Sequence, residues 1–162
     1  MATTTSPTRP TTPLSDVALD AWRNFLRANS RLTRELDEQL RERHNTTLGD
    51  FDVLAQLSLA PSGRLRMCDL AAAIVLSPSG LSRRVDRLER AGLVKRERGS
   101  SDARNIETHL TATGKRRLAQ LRKTHFAGVR EQFADRFSDA ELRTLTELLG
   151  RLWDGGDGGD AC

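Results

Sequence analysis

The longest uninterrupted stretch of the chain runs from Ser15 to Thr47 without a single glycine or proline. Ser15 can accept a hydrogen bond from an unpaired amide and Asp16 places an acid in the first turn, so both favour a helix start. Apolar residues then recur at steps of three and four, the spacing of one helical face: Trp22, Phe25, Leu26, Leu32, Leu36 and Leu40. We therefore expect the fold to begin with a long amphipathic helix.

Five further helices and one β-hairpin are predicted downstream. Gly49 marks the break after the first helix, and Ser77-Pro78 is a strong helix start because proline at the first helical position has no amide to leave unpaired. Ser138 and Glu141 have the spacing of a capping box. In order, we predict a helix through Phe51 to Ser58, a helix over Met67 to Leu76, a helix over Pro78 to Ala91, a hairpin of Leu93–Arg98 with Arg104–Leu110, a helix opening at Thr111 or Thr113, and a last helix after Ser138.

The order of these elements defines the expected fold. Three helices followed by a hairpin is the order of a winged helix-turn-helix, with Pro78 to Ala91 as the recognition helix. The fold class is therefore mainly α with a small β-hairpin wing, extended by long N- and C-terminal helices. The Thr- and Pro-rich residues 1–13 and the Gly- and Asp-rich residues 154–162 have little to bury, so we expect disordered tails around one domain over 14–153.

Charge is concentrated in one segment of the chain. The formal net charge is only +4, yet the stretch from Ser82 to Arg117 holds eleven basic and five acidic residues. A basic segment in an otherwise near-neutral chain indicates a surface that binds a polyanion, and nucleic acid is the commonest such partner. The alternative is an ordinary solvated charged face.

Several other classes of protein are disfavoured. The chain has no glycine-rich phosphate loop, no nucleophile elbow and no two-histidine metal spacing, so we expect neither an enzyme, nor a metal site, nor a cofactor. No apolar run approaches the roughly 18 residues of a membrane span, and the start lacks a hydrophobic signal core. Two cysteines, Cys68 and Cys162, make no disulfide framework, so we expect a structural thiol at Cys68 and a cytoplasmic protein.

Three linked motifs resemble one family, the multiple-antibiotic-resistance regulator (MarR) family of transcriptional regulators. The stretch Ser77 to Val94 (SPSGLSRRVDRLERAGLV) resembles its recognition-helix signature. Asp102-Ala103-Arg104 is similar to its Asp-x-Arg wing element, and Leu110 to Gly114 (LTATG) to the entry of its fifth helix. The resemblance covers roughly residues 16 to 153. One departure is Ala103-Arg104-Asn105, where many members carry Arg-Arg-Gly, which could stiffen the wing and weaken its contact with DNA.

The resemblance implies which residues bind double-stranded DNA. Pro78, Ser79, Ser82 and Arg83 fall where the family's helix meets bases and backbone in the major groove. Arginines farther along the helix, Arg84 and Arg87, are expected at phosphates. Arg104 falls at the wing tip, where a minor groove would receive it, and Asp102 is placed to hold its guanidinium in a bidentate pair. The alternatives are an ordinary surface charge for Arg83 and a turn former for Asp102.

The resemblance also implies a homodimer and an effector. Members dimerise through their first and last helices, so residues 14–47 and 112–153 would form dimerisation helices and 48–111 the DNA-binding lobe. A two-fold dimer would read a pseudo-palindromic operator. Members bind small aromatic or phenolic acids in a crevice, which Trp22, His44, Asp52 and His125 could border. The alternatives are a core role for Trp22, a first-turn acid for Asp52 and an interface histidine for His125.

The sequence is therefore compatible with two functions. The first is a ligand-responsive repressor that binds its operator as a homodimer. The second is a winged-helix module that binds DNA without sequence choice, or binds another protein.

Overall fold

The computed structural model describes residues 13–74, 80–98 and 106–153, without the side chains of Arg98 and Trp153. Three predicted features lie outside these ranges. They are the Ser77-Pro78 helix start, the wing tip, and the two tails with the exception of Pro13. The chain separates into two compact units, residues 1–31 and residues 32–162.

The first helix, α1, spans Asp16–His44, and the predicted cap at Ser15 is confirmed. The Ser15 hydroxyl oxygen accepts a hydrogen bond from the Ala18 amide at 3.2 Å. The helix ends where Asn45 adopts a φ of 49°, a left-handed conformation that asparagine tolerates better than most residues. Gly49 is not the break that we expected, because it lies inside the first turn of the next helix.

The remaining helices lie in the second unit, which also contains the end of α1. α2 spans Leu48–Leu59 and is capped by Thr47, whose hydroxyl accepts from the Asp50 amide at 3.0 Å. The helix predicted over Met67 to Leu76 ends earlier than expected, since Ile74 is already its C-cap in extended conformation, so the prediction that it reaches Leu76 is wrong. The other helices are α3 (Met67–Ala73), α4 (Leu81–Arg90), α5 (Ala112–Gln132) and α6 (Asp139–Trp153), with a 3₁₀ turn at Ala134–Arg136. Among the helices within the described ranges, none combines the length and the hydrophobicity of a membrane-spanning segment.

The wing contains three strands rather than the two that we predicted. β2 (Val94–Arg98) and β3 (Ile106–Leu110) form the expected antiparallel pair. β1 (Arg64–Arg66) adds to the other edge of β3, giving the order β1-β3-β2. The three residues of β1 are too few to show the alternation that identifies a strand in a sequence. The sheet centres on Thr108, which is fully buried and pairs with Leu65 on one side and Arg96 on the other.

One apolar core joins the helices to this sheet. Its fully buried side chains come from the end of α1, from α2, α3, α4, β2 and α5: Leu40, Val53, Leu54, Leu57, Leu70, Val85, Val94 and Leu121.

The starts of two helices agree with the caps that the sequence predicted. The Thr111 hydroxyl accepts from the Gly114 amide at 3.0 Å, and the Ser138 amide donates to the Glu141 carboxylate at 2.8 Å. Thr111, rather than Thr113, therefore opens α5, and the capping box of α6 is confirmed.

Candidate nucleic-acid interface

Helix α4 has one buried face and one exposed face. Leu81, Val85 and Leu88 point into the core with 3% or less of their surface exposed. This apolar stripe fixes the rotation of the helix about its axis. Ser82 and Arg83, on the opposite side, are exposed. The first turn of α4 therefore presents a hydroxyl and a guanidinium to solvent on a rigid support.

The arginines of α4 differ in how far their charge is available. Arg83 makes no ion pair with any described residue, so its charge is uncompensated there. Arg84 is half-buried, and its Nη1 atom is enclosed without a hydrogen-bond partner among the described residues. That atom packs against Gly80 at the start of the helix. Arg83 is thus the better placed of the two to reach a groove.

Arg87 is held by its own chain. Its guanidinium donates to the carboxylate of Asp50, which lies in the first turn of α2 and is buried. The Arg87 side chain itself stays 50% exposed. A guanidinium has five N–H donors, so this bond leaves others for a phosphate. Arg87 therefore joins α4 to α2 first, and a contact with DNA would come in addition.

Arg96 of β2 links the wing to α4 through ion pairs. Its Nη1 atom lies 2.6 Å from Asp86 and 2.9 Å from Glu89, both on α4. The Arg96 amide also donates to Glu89 at 2.9 Å. Charge-assisted bonds of this kind are short and directional, so the strand and the helix are positioned together. Sequence reasoning counted Arg96 only as one more positive charge and missed this role.

These ion pairs reduce the free positive charge of the basic segment. Arg87 and Arg96 are neutralised by acids of α2 and α4, and Lys95 lies 2.8 Å from Glu97. Four predicted DNA-binding residues lie outside the described residues: Pro78, Ser79, Asp102 and Arg104. Among the described ones, the structure brings Ser82, Arg83, Arg84 and Arg87 together on α4 and sets the wing beside them.

The predicted effector residues are only partly brought together. The His44 ring nitrogen Nε2 lies 2.7 Å from the hydroxyl of Thr124 on α5. Burial lowers the pKa of His44, with smaller contributions from Arg117 and Arg43. Trp22 is 55% exposed and stacks on Phe25 at 6.1 Å within the first unit, so it is no core residue of that unit.

His125 and Asp52 lie close to each other. The His125 ring packs on Phe51 with centroids 4.3 Å apart, and its Nδ1 atom is buried without a partner among the described residues. Burial lowers the pKa of His125, while the charge of Asp52 opposes that shift. The Asp52 carboxylate also accepts a hydrogen bond from the side-chain Nε2 of Gln56 at 3.4 Å. The arrangement fits a half-buried histidine at the contact of α2 and α5.

Two further features concern metals and cysteine. No three histidine, cysteine or acidic side chains of the described ranges converge in a way that could hold a metal ion. Cys68 is disulfide-bonded in the structure, so our expectation of a structural thiol there is wrong.

The packed helices α2 to α4 and the sheet beside them define a winged-helix protein, and comparison with known proteins agrees. The model of the MarR family matches residues 44–105. The transcriptional repressor YetL of Bacillus subtilis (strain 168) is 33% identical over 107 residues. That match covers 64% of each protein, so the chain spans just under two thirds of this curated relative.

Solved structures extend the match over nearly the whole chain. AbsC, a MarR family transcriptional regulator from Streptomyces coelicolor, is 34% identical, with a TM-score of 0.81 over 90% of this chain and 97% of that one. Sco3205, a MarR family regulator from the same species solved in complex with DNA, is 31% identical, with a TM-score of 0.81 over 88% and 92%. The chain belongs to the MarR family of transcriptional regulators. It is accordingly a regulator and not an enzyme.

Proposed function

We propose that the chain is a cytoplasmic, homodimeric repressor that binds a pseudo-palindromic operator and responds to a small aromatic or phenolic acid. The observation that carries the DNA-binding part is the exposed first turn of α4, with Ser82 and Arg83, fastened to the wing through Arg96. A helix of this size fits the major groove of B-DNA, about 12 Å wide, and its N-terminal side chains reach base edges.

The other contacts follow from the family. Pro78 and Ser79 would join Ser82 and Arg83 in the major groove, and Arg84 and Arg87 would meet phosphates. Arg104, held by Asp102, would enter the minor groove. The complex of Sco3205 with DNA supports DNA as the partner, and the name of YetL supports repression.

Exposed apolar side chains support the homodimer. On α1, Trp22, Phe25 and Leu26 are exposed, and on α6 Leu148, Leu149 and Leu152 are exposed. Monomeric proteins rarely leave such side chains in contiguous patches, so each helix needs a covering partner. A second copy of the chain is the partner that the family uses. Two recognition helices would then lie about one DNA turn apart.

Three of the predicted effector residues support the effector part. His44, Asp52 and His125 lie where α1, α2 and α5 meet, and Trp22 belongs to the other unit. An effector would act by binding the two dimer shapes with unequal affinity, so that the spacing of the recognition helices changes.

A footprinting experiment tests the proposal. DNA fragments selected by the purified protein should show discrete protection over an inverted repeat. Uniform weak binding with a steep salt dependence would instead favour a non-specific architectural module.

Substitutions then test the contact residue. Arg83→Ala should relax the base preference at one position per half-site and weaken operator binding by about 1–3 kcal/mol. The matched control is Arg143→Ala, which removes one exposed charge from α6. Equal losses in the two variants would show that only net charge matters and would remove Arg83 from the base contacts.

A further inference from the structure

A cavity of about 460 Å³ opens on the second unit, away from the predicted effector residues. Its apolar side is formed by Leu57 of α2, Leu110 of β3 and Leu118 of α5, all buried. The volume falls within the range of small-molecule sites. None of Trp22, His44, Asp52 and His125 lines it.

The polar side of the cavity is cationic. Arg64, Lys115 and Arg122 line it, and none of the described residues that line it is acidic. Arg64 is compensated, because it donates to Glu97 at 2.9 Å and, with Lys95, holds the pKa of that carboxyl below its usual range. Lys115 and Arg122 form no ion pair with any described residue. Two positive charges therefore remain available at the cavity.

Arg122 is held in position without being neutralised. Its Nη2 atom donates to the hydroxyl of Ser58 at 2.6 Å, and that hydroxyl donates in turn to the carbonyl of Ala55 at 2.7 Å. A neutral hydroxyl orients a guanidinium but leaves its charge and its other N–H groups for a ligand. Lys115 lies two helical turns earlier on α5, roughly 10 Å along the axis, and its flexible side chain can lean toward the same ligand.

We infer that this cavity binds an organic phosphate, a phosphate monoester whose apolar group packs on Leu110, the most accessible of the three leucines, while its phosphate lies between Lys115 and Arg122. A phosphate monoester carries about two negative charges at pH 7 on three acceptor oxygens, which matches two uncompensated cations. A single carboxylate would neutralise only one of them.

The position of the cavity makes it suited to regulation. Its walls come from α2, β1 and β3 of the proposed DNA-binding lobe and from α5, a proposed dimerisation helix. A ligand in this cavity would contact both the proposed DNA-binding lobe and the proposed dimerisation helix. That regulatory role rests on the proposed function. Binding of the organic phosphate does not rest on it, because this binding is measured on the protein without DNA.

Calorimetric titration of the full chain tests the site with three probes. Phenyl phosphate should bind with one site per chain and at least fivefold tighter than inorganic phosphate, which lacks the ring, or benzoate, which lacks the second charge. Benzoate binding as tightly as phenyl phosphate, or no saturable binding of phenyl phosphate, would overturn the inference.

Variants locate the site. Lys115→Gln and Arg122→Gln should each weaken phenyl phosphate at least fivefold, while Arg116→Gln, which removes a neighbouring exposed charge of α5 outside the cavity, should change it less than twofold. Lys115 is exposed, so its variant keeps the fold even if loss of the Arg122–Ser58 bond disturbs α5. Equal weakening by Arg116→Gln would overturn the site. Loss of DNA affinity in Lys115→Gln with unchanged phenyl phosphate binding would assign the lysine to the DNA backbone instead.

Discussion

The Arg87 guanidinium on α4 is bound to the buried Asp50 carboxylate on α2. The two residues are 37 positions apart in the sequence, so nothing in the local pattern of α4 indicates the pair. The bond fixes α4 against the core at a residue that we expected to contact a phosphate.

Arg87→Ala should destabilise the fold by about 1–3 kcal/mol, because it leaves the Asp50 carboxylate buried without its cation. Asp50→Ala in the same chain should restore part of that loss. Urea unfolding of both single variants and the double variant measures the coupling as a mutant cycle. Additive losses would mean that the pair contributes nothing, and Arg87 would then return to a role in DNA binding alone.

Gly114 and Gly150 both lie in helices. Substitution by alanine should lower the stability of the fold at Gly114 and raise it at Gly150. A Cβ at Gly114 would lie 1.9 Å from the backbone oxygen of Leu93, which cannot move without shifting the base of the wing. Gly114→Ala should therefore cost about 3 kcal/mol or more. At Gly150 a Cβ meets nothing within 4 Å, so Gly150→Ala should stabilise α6 by about 0.5–1 kcal/mol. Thermal unfolding compares the two, and a lowered midpoint for both would contradict the steric argument.

Thr111 caps α5 and also binds the turn before β2. Its hydroxyl accepts from the Gly114 amide and donates to the carbonyl of Gly92 at 2.7 Å. Thr111→Ala should cost about 1–2 kcal/mol in denaturant unfolding, because both partners lose their bond. Thr113→Ala is the control, since Thr113 only accepts from Arg116 on the exposed surface. The cap would be irrelevant if the two variants were equally stable.

Stability should fall as the pH drops below about 6.5, because burial lowers the pKa of His125 in the folded chain. Between the folded and the unfolded pKa, the unfolded chain binds more protons, so acid favours unfolding. Unfolding free energies measured from pH 8 to pH 5.5 should decline in the natural chain and decline less in His125→Phe, which keeps a ring against Phe51. Arg143→Gln should leave the slope unchanged. The same slope in His125→Phe would show that His125 does not cause the decline.

The order of the elements and most of their ends could be predicted from local patterns. Ser15, Thr111 and the pair of Ser138 and Glu141 cap helices through bonds that span only three residues. The sequence therefore predicted the first and the last of these caps, and it left the start of α5 open between Thr111 and Thr113. The apolar stripe of α4 likewise predicted which of its faces would be buried and left Ser82 and Arg83 outward.

Other features were decided by the tertiary structure. β1 is a strand because β3 pairs with it, and its three residues have no β pattern of their own. The pair of Arg87 and Asp50 and the cationic cavity between α2, the sheet and α5 bring together side chains that are distant in the sequence, and Arg96 meets acids of a different element. Local hydrogen bonds and periodicity act over a few residues and can be inferred from order alone. Ion pairs and cavities depend on how whole elements pack, which only the folded chain specifies.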